Sequence, residues 1–462
     1  MEDKEVFKKT KDKTVFIFGA GMEIKGGIGL PSAADIPLKI WTALSDKGNE
    51  KAEKNIRAAV KTSYSYSALF LSQVNNIFCK SGICNEIIDR YSEENNKYVR
   101  FVCAFLQEVV NIGFDKTDGE LQQRYDDLKQ LIYPGENSKD FDLSHIVDIE
   151  KISPSGESAE IIKTILEWYV KLEKKDESIT EENRKELDSA KKCIKELFQG
   201  IVDYDSLLTK SYIGFYSHIQ TEQKKYFYLS WLLWLLLASV ERKKVPEKTI
   251  YGKIKEALKD EDRIITMNYS TIVDRLFEKN KCGDEDSAPK VIHFHGDLAH
   301  YIFERKEYEI DDYLEFDDDK NLQEILSPVL HAANLNVVSE TQNNGKKEKR
   351  MELPIPSMMP PMDVKPLISN EYLERWVKAK NIIDGAERII VVGYSFSEKD
   401  DHFNDMIFNA NPKVKEIIIV RKDFSDEAQE ELKNKFNDKI RDKVRTLNET
   451  SEVYFCYPES SD

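Results

Sequence analysis

Residues 14–18, Thr-Val-Phe-Ile-Phe, run straight into Gly19-Ala20-Gly21. A continuous apolar run of about five residues describes a strand covered on both faces, as in a parallel sheet clothed by helices. Glycines at its end permit a tight turn, let a backbone approach a pyrophosphate closely, and place a helix N-terminus where an anion can sit. Gly26, Gly27 and Gly29 follow, but the GxGxxG fingerprint requires glycine at position 24 and finds Ile24. Taken alone, the turn suits nucleotide binding and also a plain glycine turn.

Runs of the same kind recur at Arg263–Met267 (RIITM), Lys290–Phe294 (KVIHF), Arg388–Val392 (RIIVV), Glu416–Val420 (EIIIV) and Glu452–Cys456 (EVYFC). Helical stretches such as Asn370 to Ile383 separate several of them. The expected fold is therefore α/β, a Rossmann-like and mostly parallel sheet. Between the first strand and the rest the pattern changes. Ile161, Ile162, Ile165, Leu166, Tyr169 and Leu172 repeat at helical spacing, and similar patterns fill most of residues 43–258. Pro134 to Lys139 and Glu173 to Arg184 read as loops. We expect a discontinuous Rossmann-like domain (1–42 and 259–462) interrupted by a large all-helical insertion (43–258). Thr341 to Arg350 (TQNNGKKEKR) has no apolar content and reads as a surface loop.

Bulk properties narrow the function. The chain has 462 residues, room for two or three structural units, with 40% hydrophobic and 33% charged residues. Its net charge of -16 disfavours a phosphate backbone as a partner, so direct nucleic-acid binding is not expected. The charged N-terminus has no apolar core and does not read as a signal peptide. Tyr226 to Val240 is the most apolar stretch, but at 15 residues it is shorter than a bilayer span and reads as a helix buried on all sides. Cys79, Cys84, Cys103, Cys193, Cys282 and Cys456 contain no CxxC pair. They lack the two close pairs of a structural zinc site, which points to a reduced cytoplasmic protein without metal.

Four motifs carry chemistry. The first is the Gly19-Ala20-Gly21 turn. In the second, Thr266-Met267-Asn268-Tyr269 ends a strand, where Asn268 could hold a ribose hydroxyl or a water, or cap the next helix. The third, His293-Phe294-His295-Gly296-Asp297, begins like the HxHxDH pattern of metallo-β-lactamase-type hydrolases, but Leu298 replaces the last histidine. A histidine at a strand end is also well placed as a general base, because its ordinary pKa lies near neutral. In the fourth, Gly393-Tyr394-Ser395 follows a strand and leads to Asp400, Asp401 and His402, which could contact ribose or phosphate or cap a helix.

In their order along the chain, these motifs resemble the SIR2 superfamily over about residues 13–42, 262–298 and 355–422, with Gly29-Leu30-Pro31-Ser32 in the place of a GIPD-type segment. The resemblance implies that Gly19, Ala20, Gly21, Pro31, Ser32, Thr266, Gly296, Gly393, Tyr394 and Ser395 bind NAD. It makes Asn268 the contact to the nicotinamide ribose and His295 the catalytic base. Sirtuin deacetylases differ in three ways: they carry TQNxD, where this chain has Ser270 for the aspartate, they have a four-cysteine zinc module, and they have small residues where Met22 and Glu23 stand. These departures are similar to bacterial anti-phage SIR2-like effectors. Such proteins hydrolyse NAD to nicotinamide and ADP-ribose, and act as oligomers or beside an ATPase, nuclease or Argonaute-like partner. Two other readings remain open: a Rossmann-type nucleotide sensor without turnover, and a metal-dependent hydrolase using His293, His295 and Asp297.

Overall fold

The structure is a computed structural model that describes residues 7–8, 10–25, 28–78, 83–91, a few positions between 99 and 173, 181–198, 202–216, 219–277, 291–311, 313–314, 322–342, 353–360, 362 and 369–455. Outside them lie Gly26, Gly27, Cys79, Cys282, Cys456, the Pro134–Lys139 stretch, residues 343–350 and, in the periodic segment, Ile161, Ile162, Ile165 and Leu172.

The chain is α/β. Six parallel strands, β1 (Thr14–Phe18), β2 (Arg263–Thr266), β3 (Val291–His293), β7 (Arg388–Val392), β8 (Glu416–Val420) and β9 (Val444–Leu447), lie in the order β3-β2-β1-β7-β8-β9. Counted within this sheet alone, that order is 3-2-1-4-5-6, the arrangement of doubly wound nucleotide-binding sheets. Its topological switch point falls between β1 and β7. β1 carries no exposed residue, as expected of a central strand covered by helices on both faces. One face contributes Val15, Ile17, Ile265, Ile389, Val391, Ile417 and Ile419 to a core with Ala379, Ile383, Phe403, Ile407 and Leu432. On the other, Phe16 and Phe18 meet Phe7, Tyr251 and Phe455 at ring separations of 5.8, 5.6 and 6.3 Å. Each such side chain, fully buried, adds about 1.5–3 kcal/mol before entropy is subtracted.

The expected strand at Glu452–Cys456 is instead the short helix Ser451–Tyr454, with Cys456 outside the described residues. Thr450 accepts a hydrogen bond from the Val453 amide, and Tyr454 packs edge-on to Phe7. Aromatic burial at a capped turn gives the same apolar spelling as a strand. The sixth strand is Val444–Leu447, whose sequence VRTL is less apolar because β9 is an edge strand.

A second, antiparallel sheet of order β5-β4-β6 interrupts the path from β3 to β7: β4 (Gly296–Phe303), β5 (Lys306–Glu309) and β6 (Ile355–Met358). The helix Gln220–Glu241 packs on it, which accounts for its burial from Tyr226 through Ala238. Trp231 Nε1 donates to the Pro354 carbonyl at 2.9 Å and Trp234 Nε1 to the Leu298 carbonyl at 2.8 Å. No helix among the described residues is long and apolar enough to cross a membrane.

Two compact units divide the chain, and their limits differ from the expected insertion of 43–258. The first comprises Met1–Ala33, Gly48–Thr62 and Asp205–Asp462, and the second Ala34–Lys47 and Ser63–Tyr204. Residues 205–258 join the first because their aromatic side chains bind the two sheets, as Trp231, Trp234 and Tyr251 show. The second unit is helical where described, with Ile36–Leu44, Tyr66–Phe78, Ile83–Tyr91 and Glu181–Phe198. Phe70 meets Trp41, Tyr66 and Phe198 there, while Glu173 pairs with Lys39 and Lys191 at 2.8 Å each. Glu181 to Arg184, expected in a loop, open the helix Glu181–Phe198.

Candidate functional site

Strand register brings the four motifs to one edge. Phe18 is paired with both Thr266 and Val392, and Thr266 with His293. Phe294 N donates to Thr266 O at 2.9 Å, which carries the ladder one residue further. Asn268 and His295 therefore leave neighbouring strands at the same level, two residues past a paired position. Neighbouring strands are about 4.8 Å apart. The Gly19 and Gly393 turns leave β1 and β7 beside them, at the switch point where open α/β sheets bind ligands.

The glycines of that edge meet each other. Gly19 N donates to Val392 O at 3.0 Å, Gly21 N to Gly393 O at 2.8 Å and Gly393 N to Val420 O at 3.0 Å. A Cβ on Gly19 would overlap the Tyr394 Cα and lie 2.6 Å from the Gly393 carbonyl oxygen. Gly393 has φ +65 and its own Cβ would lie 2.6 Å from Met22 N. Backbone packing between two turns thus accounts for these glycines. Of the three turn amides, that of Ala20 has no acceptor among the described residues. Gly296 has φ +81, and a Cβ there would overlap the Ser357 carbonyl oxygen, so this glycine joins the large sheet to the small one.

Asn268 is 7% exposed. Its Nδ2 donates to the Gly19 carbonyl at 3.1 Å and to the Tyr251 hydroxyl at 3.4 Å. Because a carbonyl can only accept, this contact fixes the amide with Nδ2 inward. Oδ1 is then the end that accepts from any arriving hydroxyl. Asn268 is not a helix cap; Ser270 Oγ takes the next amide, Ile272 N, at 3.4 Å.

His293 and His295 have separate surroundings. His293 is buried, with Nδ1 3.0 Å from the Asn268 carbonyl oxygen and Nε2 2.6 Å from Asp274 Oδ2. Burial pulls its pKa down, but the Asp274 carboxylate outweighs this and holds it at about 9. A protonated imidazole donates at both nitrogens, which matches both contacts and leaves no lone pair for a metal. Asp297 accepts from Ala299 N at 2.9 Å and His300 Nδ1 at 2.6 Å. Its burial would raise the pKa; His300, with smaller help from His293 and Arg375, lowers it to about 2. Among the described residues, no group of three His, Cys, Asp or Glu side chains could hold a metal ion.

His293 makes the protein's stability depend on pH. A folded pKa raised from 6.5 to about 9 gives stabilisation that is complete below 6.5 and lost as pH rises through 9. The expected contribution is about 3 kcal/mol. The Asp274→Asn variant should accordingly lose less stability than wild type between pH 6 and 9.5 in thermal melts. Parallel pH slopes would exclude the charged pair.

His295 is 5% exposed, and its Nε2 lies 3.1 Å from Asp400 Oδ1. Phe294, beside it, is stacked on Trp376 at 5.3 Å and meets Phe403 at 4.4 Å, so the aromatic layer under β3 sets the histidine's position. Asp400 precedes the helix Asp401–Phe408 but its side chain makes no cap hydrogen bond. Of the remaining expected contacts, Tyr394 points into the core, its hydroxyl donating to Asn404 Oδ1 at 2.8 Å, while Ser395 is exposed. Pro31 and Ser32 are half-buried and follow Leu30, whose amide donates to Glu23 O at 3.2 Å; Thr266 Oγ1 accepts from Asn268 N at 3.1 Å. Tyr251 and Asp274 had no local signal in the sequence. Asp400 did, as an acid shortly after a glycine turn.

Comparison of the chain with protein-family models, with curated proteins and with solved structures finds no match in any of the three.

Proposed function

We propose that this chain is a SIR2-like NAD glycohydrolase, cleaving NAD to nicotinamide and ADP-ribose. The observation that carries this reading is the orientation of Asn268 at the switch point, with Nδ2 anchored on Gly19 O, together with the His295–Asp400 pair on the same strand edge. In this reading the diphosphate lies along the Ala20 amide and the Gly393–Ser395 turn, with the nicotinamide ribose toward Asn268. As the bond between ribose C1 and the nicotinamide nitrogen breaks, its electron pair leaves with nicotinamide and positive charge builds on the ribose. Asn268 Oδ1 accepts a hydrogen bond from the attacking water, the water oxygen bonds to C1, and His295 takes the proton. Asp400 keeps the imidazole oriented and stabilises its protonated form. A regulated cytoplasmic role in anti-phage defence, in an oligomer or beside a partner protein, belongs to the same proposal and draws its support from the resemblance alone.

A second reading is favoured by Ser270, which is fully buried and supplies no carboxylate beside Asn268: a sensor that holds NAD without cleaving it. One assay distinguishes them. Purified protein incubated with NAD should release nicotinamide, equally with and without EDTA, and Asn268→Ala should release at least about 100-fold less. NAD binding without turnover would favour the sensor, and activity lost in EDTA would favour a metal-dependent enzyme.

A further inference from the structure

Glu23 sits on the turn helix Gly21–Lys25 and is 1% exposed. Its Oε1 accepts from the Tyr251 hydroxyl at 2.8 Å, and the Tyr251 oxygen accepts from Asn268 Nδ2 at 3.4 Å. The three side chains form a chain of donors running Asn268 to Tyr251 to Glu23. A buried carboxyl is costly, and aromatic packing of Tyr251 on Phe18 would survive without it. What a carboxylate adds is direction. It can only accept, so the single Tyr251 proton must point to Glu23 and the Tyr251 oxygen must accept from Asn268. Both Nδ2 hydrogens of Asn268 are then claimed, one by Gly19 O and one by Tyr251. A protonated Glu23 can itself donate to Tyr251 and removes that constraint.

We propose that Glu23 is a positioning residue for Asn268: through Tyr251 its carboxylate holds the second Nδ2 hydrogen and so restrains the amide that Gly19 O already orients. This rests on the reading of Asn268 as the residue that touches NAD, but the positioning is measurable without turnover. The groups facing the carboxyl are Tyr251, Glu241 on the helix Gln220–Glu241, Ser270 after β2 and His293 on β3, with Asp274 acting on Tyr251 and Arg275 paired to Glu241. Burial is the largest influence, and against the Tyr251 hydrogen bond it pushes Glu23 up to about 7. Deprotonation therefore falls within the working pH range.

The experiment follows the Asn268 side-chain amide by ¹⁵N–¹H NMR across pH 5.5–8.5 in ligand-free protein, with Asn268→Asp used to assign it. The wild-type signal should titrate with a midpoint near 7, and the titration should vanish in Glu23→Gln and in Tyr251→Phe. Tyr251→Phe keeps the carboxyl but cuts the link, and so serves if Glu23→Gln fails to fold. With NAD, Glu23→Gln should lower kcat by on the order of 10- to 100-fold at little change in KM, and flatten the rise of kcat between pH 6 and 8. An Asn268 signal that titrates identically in wild type and both variants overturns the proposal. The expected titration without nicotinamide release from wild type would leave the positioning intact and defeat the cleavage reading instead.

Discussion

Replacing His295 by alanine is expected to lower nicotinamide release by about 100- to 10,000-fold, the usual contribution of a positioned general base, while NAD affinity changes only a few-fold. The histidine is buried at the end of β3 with Nε2 3.1 Å from Asp400 Oδ1, and its backbone carbonyl is held by Met359 N at 2.7 Å. The main-chain path therefore does not depend on the imidazole. Asp400→Asn should have a smaller effect on kcat, because it removes the carboxylate charge 3.1 Å from Nε2 but leaves the imidazole in place. Thermal melts and NAD binding by calorimetry accompany the rates. If His295→Ala loses NAD affinity in proportion to kcat, the residue binds and does not act as base.

Gly19→Ala is expected to cost roughly 3 kcal/mol or more of stability with no NAD present. Inserting a methyl into a packed region commonly costs 1–3 kcal/mol, and here both obstacles, the Tyr394 Cα and the Gly393 carbonyl, are main chain and cannot rotate away. Gly393→Ala should be at least as damaging, since its φ of +65 adds backbone strain to a Cβ 2.6 Å from Met22 N. Denaturant melts of the ligand-free protein measure this. A Gly19→Ala protein with wild-type stability and weakened NAD binding would show that the glycine serves the ligand and not the neighbouring turn.

The strands legible in the sequence were those buried on both faces. TVFIF, RIIT, RIIVV and EIIIV each carry a run of apolar and β-branched residues that little else produces. The edge strand VRTL does not read as a strand because its exposed positions dilute the pattern, and β4 (GDLAHYIF) and β6 (IPSM) do not because polar residues, glycine and proline break their apolar runs; EVYFC misleads because aromatic burial at a capped turn has the same composition as a strand. Asn268 and His295 were legible because each stands just beyond a strand. Tyr251, Asp274 and Asp400 complete the same cluster from separate parts of the chain, and only the sheet order brings them there. Tyr251 lay in a stretch read as helical insertion, where nothing local separates a tyrosine aimed at Glu23 from an ordinary core aromatic. The glycine turn reads as open to phosphate, whereas two of its three amides are spent on the end of β7 and on the turn that follows it.

The position of β1 at the centre of the sheet has a consequence for synthesis. Its pairing with β2 joins residues 248 apart in the chain, and its pairing with β7 residues 374 apart. At about 5–20 residues per second, TVFIF waits on the order of tens of seconds after leaving the ribosome before either neighbour exists. Through that interval this apolar strand has two unsatisfied edges, the form most prone to pair with another chain. Native yield should therefore depend on what shelters Thr14–Phe18 in the nascent chain.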